Sequence, residues 1–253
     1  MVFVIPETAT EYGFRLKPGG AHGSKTMMLP EARLLFAASA PDTDFEELRR
    51  LVLEENVLLK GTQSNREEVF MRLGELYGLR QELRLYRALR LLWEAGEKEQ
   101  PLLALLCALA RDTILRTTAS VVLNQPEGVI VPSALLAGAI ETAFPERYTP
   151  KTKLSVSQNT AASWAQAGHL VGKLPKVRTR VSAGPASTAY SLLLGHLCGV
   201  RGPFLFETGW ACVLDASPGN LDSLAVAASQ RGWIDYRRMG SVVEISFSQL
   251  LRE

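Results

Sequence analysis

The spacing of apolar side chains divides the chain into a long helical stretch and a second stretch in which helices alternate with short strands. Between residues 29 and 144, apolar positions recur every three or four residues, which is the period of a helix with one buried face. The pattern predicts seven helices, over residues 29–39, 45–56, 64–77, 81–94, 101–114, 117–123 and 132–144. The fifth of these is apolar on almost every side, so we expect it to be the central buried helix.

Residues typical of helix N-termini occur where these helices are predicted to begin. Asp42 or Thr43 is suited to cap the second helix, because a short oxygen-bearing side chain can accept a hydrogen bond from an unpaired backbone N–H. Ser64, with Glu67 three residues later, forms a capping-box pattern at the start of the third helix. Short polar connectors between apolar helices are typical of a helical bundle.

In the C-terminal part of the chain the pattern changes. Ser155 and Ser157 are candidate caps of a helix that ends at Gly168, a residue that tolerates positive φ. After this stop come a short strand-like segment over residues 170–172, a basic loop over residues 173–176 and a second strand-like segment over residues 177–181. Helix, stop, strand, basic turn and strand together outline a recognition helix followed by a wing.

The same order of elements occurs once more near the end of the chain. A helix is predicted over residues 218–231, and Gly232 ends it. Alternating apolar and polar residues then predict strands over 233–236 and 241–247, joined by a loop over 237–240.

These patterns predict a mainly α fold in which an N-terminal helical bundle joins a winged-helix-like C-terminal lobe with short β-hairpins. We expect an N-terminal arm over residues 1–28, the helical bundle over 29–148 and the basic winged-helix-like lobe over 149–253. The arm holds short strand-prone pieces and is expected to pack loosely.

Composition narrows the class of protein. With 253 residues and 47% hydrophobic residues, the chain can bury a sizeable core. Its longest apolar run, residues 101–110, is too short to span a bilayer, and its first residues lack the basic region of a secretory signal. Cys107, Cys198 and Cys212 lie far apart in apolar sequence, which indicates buried thiols in a reducing cytoplasm.

Charge is distributed unevenly. Residues 147–206 contain 8 Lys and Arg residues and no Asp or Glu, whereas residues 1–146 hold 16 bases and 20 acids. A segment with such an excess of cations attracts polyanions. If the cations converge on one exposed surface, they form a nucleic-acid interface; the alternative is a set of solvated side chains without a ligand.

The candidate nucleic-acid-binding residues come from this segment and from one helix of the bundle. Six basic side chains are expected to bind phosphates: Lys151, Lys153, Lys173, Lys176, Arg178 and Arg180. Four polar side chains are expected to face a groove of the nucleic acid: Gln158, Asn159, Ser163 and Gln166. A secondary basic ridge consists of Arg80, Arg84 and Arg87, for which pairing with acidic helix faces is the favoured alternative to phosphate binding.

The sequence indicates no catalytic residues, metal site or cofactor, so we do not expect an enzyme. His22, His169 and His196 each lack a second His or Cys at a spacing typical of metal ligands. The chain also lacks a glycine-rich phosphate-binding loop and the Gly-x-Ser-x-Gly pattern of hydrolases.

Three groups of residues resemble the BrxA family, the small accessory proteins of BREX bacteriophage-defence systems. The first comprises Tyr12, Arg15, Leu16, Gly19, Gly20, Ala21 and Glu31; the second Glu55, Asn56, Ser64, Glu67, Arg72, Leu73 and Leu76; the third Ser157, Gln158, Asn159, Thr160, Trp164, Ala165, Ala167 and Gly168. The resemblance covers most of the first 180 residues.

This resemblance implies a helical body like that of antitermination factors, joined to a winged-helix-like part. It also implies a non-enzymatic role in binding double-stranded DNA beside other BREX components. Two alternatives stay open: a protein-interaction scaffold of the defence complex, and an RNA-binding factor of the antitermination type.

Overall fold

The computed structural model describes residues 3–240 and 242–251, and it is mainly helical. The α-helices in this part of the chain are α1 (Leu29–Ala37), α2 (Phe45–Leu53), α3 (Gln63–Tyr77), α4 (Arg84–Trp93), α5 (Gln100–Arg111), α6 (Thr113–Thr117), α7 (Ala119–Leu123), α8 (Ser133–Ala143), α9 (Pro150–Gln166), α10 (Pro185–Leu197), α11 (Gly209–Cys212) and α12 (Pro218–Gln230). The strands form two antiparallel hairpins, β1 (Leu170–Val171) with β2 (Val177–Arg178), and β3 (Asp235–Met239) with β4 (Val242–Ser246).

The predicted run of helices up to α8 is confirmed, although several helix starts differ. Asp44 caps α2 by accepting a hydrogen bond from Glu47 N at 2.8 Å, and Thr62 Oγ1 caps α3. The predicted caps Asp42, Thr43 and Ser64 are therefore wrong by one or two residues. Ser64 lies inside α3. Asp112 ends α5 and caps α6, so the predicted helix over 101–114 is two helices.

Helix α5 lies at the centre of the molecule, as its all-round apolar character predicts. Every residue from Leu102 to Arg111 is buried, and α3, α4 and α10 pack around it. One hydrophobic core runs through the described chain from Ala9 to Leu250, because α10 joins the earlier helices to α12.

The N-terminal arm is part of this core and is not loosely packed. It forms short 3₁₀ turns over Glu7–Tyr12 and Ala21–Gly23, and the expected strand is absent from its described residues. Phe14, His22 and Met27 are buried almost completely. The arm therefore contributes side chains to the interior instead of leading into it from outside.

The division into arm, bundle and lobe stays a prediction. Helices α8 and α9, which lie on either side of the proposed boundary at residue 148, pack side by side. Ile114 and Ile140 from one side of that boundary form a small buried cluster with Val156 from the other.

The hairpins are placed differently from the expected strands. β2 ends at Arg178, and it also pairs with the segment 128–131 through an antiparallel bridge between Ile130 and Val177. In the second hairpin Met239 pairs with Val242, so the predicted loop over 237–240 is mostly strand. Ser241 and Val2, which the sequence assigned to strand-prone segments, lie outside the described residues.

Two further sequence expectations concern membrane-spanning helices and the cysteines. In the described part of the chain, every helix is too short or too polar to cross a lipid bilayer. Cys107 and Cys198 are buried as expected, but Cys212 is exposed, which corrects the expectation for that residue.

Candidate nucleic-acid interface

Helix α9 is the element on which the predicted interface depends. Thr149 caps it by accepting a hydrogen bond from Thr152 N at 3.2 Å, and Pro150 occupies the first turn. The helix thus begins before Ser155 and Ser157, and the expectation that these serines cap it is wrong. Gly168 follows the end of the helix with a φ of 92°, in agreement with its predicted role as a stop.

The C-terminal half of α9 turns its polar side chains toward the arm. Ser163 is fully buried, and its Oγ accepts a hydrogen bond from Met27 N at 2.8 Å. Asn159 Nδ2 donates to the carbonyl of His22 at 3.2 Å, and Gln166 Nε2 donates to Thr26 Oγ1 at 3.2 Å. The expectation that Asn159, Ser163 and Gln166 face a groove of nucleic acid is therefore corrected. These side chains form hydrogen bonds with backbone and side-chain groups of the arm.

Ser163 also belongs to a buried chain of hydrogen bonds that the sequence did not reveal. Asp112 Oδ2 lies 2.8 Å from His22 Nδ1, and His22 Nε2 lies 2.8 Å from Ser163 Oγ. Burial alone would raise the pKa of Asp112. The charge of His22 and hydrogen bonds from His22 and Leu115 outweigh burial and hold this pKa below its usual value.

The connectivity of Asp112, His22 and Ser163 is that of a serine-hydrolase triad, but its setting is different. All three residues are at most 1% exposed, so the serine hydroxyl has no access to solvent. Gly20 approaches so closely that an added Cβ would lie 2.2 Å from Asp112 Oδ2. The network joins the arm, the start of α6 and α9 into one interior unit.

Arg178 is the second predicted site residue that lies in the interior. It is 2% exposed, and its Nη1 and Nη2 donate to the two carboxylate oxygens of Asp215 at 2.9 and 2.5 Å. The expectation that Arg178 binds a phosphate is therefore corrected, and the strand expected over residues 177–181 ends at Arg178. Asp215 reaches Arg178 from 37 positions away, which is why the acid-free segment does not reveal this partner.

His169 lies beside this ion pair, and it is also buried. Its Nε2 donates to the carbonyl of Val213 at 2.8 Å. Burial, reinforced by the positive charge of Arg178, lowers the pKa of His169 to about 4. The imidazole is therefore neutral at physiological pH and does not add to the cationic surface.

The remaining cations of the segment do not all converge on one surface. Lys153 Nζ pairs with Glu141 Oε2 of α8 at 2.5 Å, and Arg180 lies 3.7 Å from Glu127 at an exposed position. The Arg147 guanidinium lies over the ring of Tyr148, 5.8 Å from its centroid. Only part of the predicted set is therefore available to a ligand.

An exposed set of residues remains on the N-terminal half of α9 and on the loop between β1 and β2. Lys151, Ser155 and Gln158 are exposed and spaced so that they follow one face of the helix. Lys173 is exposed, and Lys176 is half-buried, with its Nζ donating to Gly172 O at 3.3 Å. We call these five residues the cationic edge.

A groove connects the two parts of the cationic edge. It has a volume of about 690 Å³ and lies between α9, the β1–β2 loop and residues 130–133. Gln158 lines one wall, and Lys173 and Lys176 line the other. Leu174 is 85% exposed at the tip of the loop, and Ile130 is 51% exposed on the far side. The groove thus combines cations, an amide and apolar side chains.

Two arginines of the secondary basic ridge lie over aromatic rings, and the third donates to a backbone carbonyl. The Arg80 guanidinium lies 4.1 Å from the centroid of Phe45, and that of Arg84 lies 5.0 Å from the centroid of Tyr12. Arg87 Nη1 donates to the carbonyl of Gln81 at 3.4 Å. These contacts agree with a structural role for Arg84 and Arg87.

Asp112, His22 and Asp215 are the side chains of this region whose structural roles the sequence did not reveal. A signal for Asp112 was present, since an Asp before Thr113 and Ile114 is a good helix cap. The described residues contain no group of three or more His, Cys, Asp or Glu side chains placed to hold a metal ion. The sequence matches no protein-family model and no curated protein.

Proposed function

We propose that this chain is a non-enzymatic, double-stranded DNA-binding accessory protein of a BREX-type phage-defence system. The DNA-binding part rests on one observation: Gln158 of α9 and the lysines of the β1–β2 loop line the same open groove. The assignment to phage defence rests on the resemblance of the sequence to the BrxA family.

The arrangement of α8, α9 and the first hairpin supports a winged-helix-like mode of binding. In helix-turn-helix proteins the second helix enters the major groove with its N-terminal residues against the bases. The exposed N-terminal half of α9 offers Ser155 and Gln158 for such contacts, and Lys151 for a phosphate. The β1–β2 loop then corresponds to a wing, with Lys173 and Lys176 beside the backbone.

The test measures binding to a duplex DNA at several salt concentrations by fluorescence anisotropy. We expect affinity to fall steeply with salt, because each phosphate contact releases counterions. Replacing Lys173 and Lys176 together by alanine is expected to weaken binding to all sequences and to reduce the salt slope by about two. The control replaces Lys17 and Lys98, which are exposed elsewhere and change the net charge equally.

Two outcomes would contradict the proposal: no binding at about 50 mM salt, or the same loss in both double variants. Duplex RNA of the same sequence is the comparison for the antitermination-type alternative, and tighter binding to RNA would favour it.

A protein-interaction scaffold is the second candidate, and the exposed Leu174 and Ile130 beside the groove favour it. Co-purification with other components of the defence system tests this candidate. A Leu174→Ser variant that loses the partner but keeps DNA affinity would support it.

A further inference from the structure

A second cleft lies among the N-terminal helices and shares no lining residue with the groove beside α9. It has a volume of about 460 Å³ and lies between α2, α3 and the residues that precede α4. Small-molecule pockets usually have volumes of roughly 300–1,000 Å³ and mostly apolar walls. Phe45 and Phe70 provide such a wall, with their ring centroids 5.3 Å apart.

Four arginines line this cleft and come from separate parts of the chain. They are Arg15, Arg49, Arg80 and Arg111. Glu67 and Glu75 are the carboxylates among the lining residues, so cations outnumber anions by four to two. Glu75 is also engaged elsewhere, because its Oε2 accepts a hydrogen bond from Arg72 at 2.9 Å. The charge of the cleft therefore favours an anionic ligand.

Arg111 is the most informative of the four arginines. It is 8% exposed, and within the part of the chain that the structure describes its guanidinium donates to backbone carbonyls alone, those of Gly13, Gly74 and Glu75. A guanidinium has five N–H donors, so donors remain for another acceptor. Burial of its charge lowers the pKa of Arg111, and the nearby charge of Arg15 lowers it further. A buried cation without a bonded carboxylate would be stabilised by an anion.

The other arginines of the cleft offer further donors to an anion, and one of them lies beside an aromatic ring. Within the described residues, the side chains of Arg15 and Arg49 make no hydrogen bond or ion pair. Arg80 lies over the ring of Phe45 at 4.1 Å from its centroid, so a cation and an aromatic face adjoin each other. Guanidinium groups bind phosphate oxygens in a fork, and flat rings stack on aromatic side chains.

We propose that this cleft binds a nucleoside phosphate, with the phosphate held by Arg15 and Arg111 and the base against Phe45 and Phe70. This site is independent of the DNA-binding surface, since the two share no residue.

The test is isothermal titration calorimetry of the full chain with AMP and GMP, and with adenosine and inorganic phosphate as the separated parts. We expect at least one nucleotide to bind, and each separated part to bind at least about tenfold more weakly. Arg15→Gln is expected to weaken nucleotide binding by about 10- to 100-fold, because it removes a charged donor to the phosphate. Arg49→Gln, at an exposed position of the same cleft, is a second variant, and we expect it to weaken nucleotide binding less than Arg15→Gln does.

Arg237→Gln is the matched control, since Arg237 is exposed on the second hairpin. Equal effects of Arg15→Gln and Arg237→Gln would overturn the proposal, as would the absence of nucleotide binding at millimolar concentration. Inorganic phosphate that binds as tightly as AMP would also overturn it, because the aromatic wall would then contribute nothing. If the Lys173 and Lys176 double variant abolishes nucleotide binding and Arg15→Gln does not, the nucleotide binds at the DNA surface and the proposal is wrong.

Discussion

Two units of this chain share an order of elements and differ in their surroundings. In the first unit, α9 is followed by Gly168 and the β1–β2 hairpin; in the second, α12 is followed by Gly232 and the β3–β4 hairpin. Each hairpin contains an arginine paired with an aspartate. The side chains of Arg178 and Asp215 are 3% and 6% exposed, whereas those of Arg238 and Asp222 are 49% and 30% exposed.

The difference shows that similar elements acquire different roles from what packs on them. The first unit is enclosed by the arm and by Asp215, so several of its polar side chains hold the interior together. The second unit leaves its hairpin open to solvent, and Met239 at its end is 85% exposed. Because a buried charge depends on its partner far more than an exposed one, the two arginines are expected to differ in energetic importance.

The largest expected effect is that of Arg178→Ala. Removing this guanidinium leaves the carboxylate of Asp215 buried without a counter-charge, which is expected to lower the free energy of unfolding by about 3–5 kcal/mol. Urea denaturation followed by circular dichroism measures the change. Arg238→Ala is the counterpart in the second unit, and we expect little change from it. Equal losses in the two variants would show that the comparison is wrong.

The next effect concerns Ser163, the serine at the centre of the buried network. Ser163→Ala leaves Met27 N and His22 Nε2 without their partner, and we expect a loss of about 1–3 kcal/mol in the free energy of unfolding. Ser229→Ala on α12 is the control. Ser229 Oγ accepts a hydrogen bond from Tyr236 N at 3.3 Å and is only partly buried, so its loss is expected to be smaller. A Ser163→Ala variant as stable as the parent would contradict the structural role of the network.

A smaller effect is expected from pH. The pKa of His169 is about 4 in the folded chain, below the value of about 6.5 for an unperturbed histidine. The folded state therefore binds fewer protons, and stability falls as the pH decreases from about 6.5 toward about 4. His196, with a pKa also lowered to about 4, acts in the same direction. Urea midpoints at several pH values are expected to show a smaller slope in His169→Gln than in the parent, and an unchanged slope would contradict this role for His169.

The helices could be predicted from the sequence, but the interior contacts of α9 could not. Helices α1 to α8 follow from a period of three and four, apart from the break between α5 and α6, and Gly168 marks the end of α9, because these are local properties of the chain. Ser163 was expected at the surface because it is polar. Its partners His22 and Met27 are 141 and 136 positions away, and no local pattern connects them to it.

The same reasoning explains the outcome for the basic segment. A run of cations without carboxylates specifies an excess of charge, but it does not specify which cations face solvent. Arg178 forms an ion pair with Asp215, which follows the acid-free segment in the sequence. Lys153 forms one with Glu141, which precedes that segment. Lys151, Lys173 and Lys176 remained near the surface because the helix N-terminus and the hairpin loop extend away from the core.

The first unit is proposed to present one side of the N-terminal half of α9 to duplex DNA. The most direct test is the DNA affinity of Ser155→Glu, which places a negative charge on that exposed side. Ser223→Glu, at an exposed position of α12, is the matched control. We predict that Ser155→Glu weakens binding by at least about tenfold through repulsion of the phosphates, and that Ser223→Glu leaves the affinity unchanged. Equal affinity of the two variants for duplex DNA would contradict the claim.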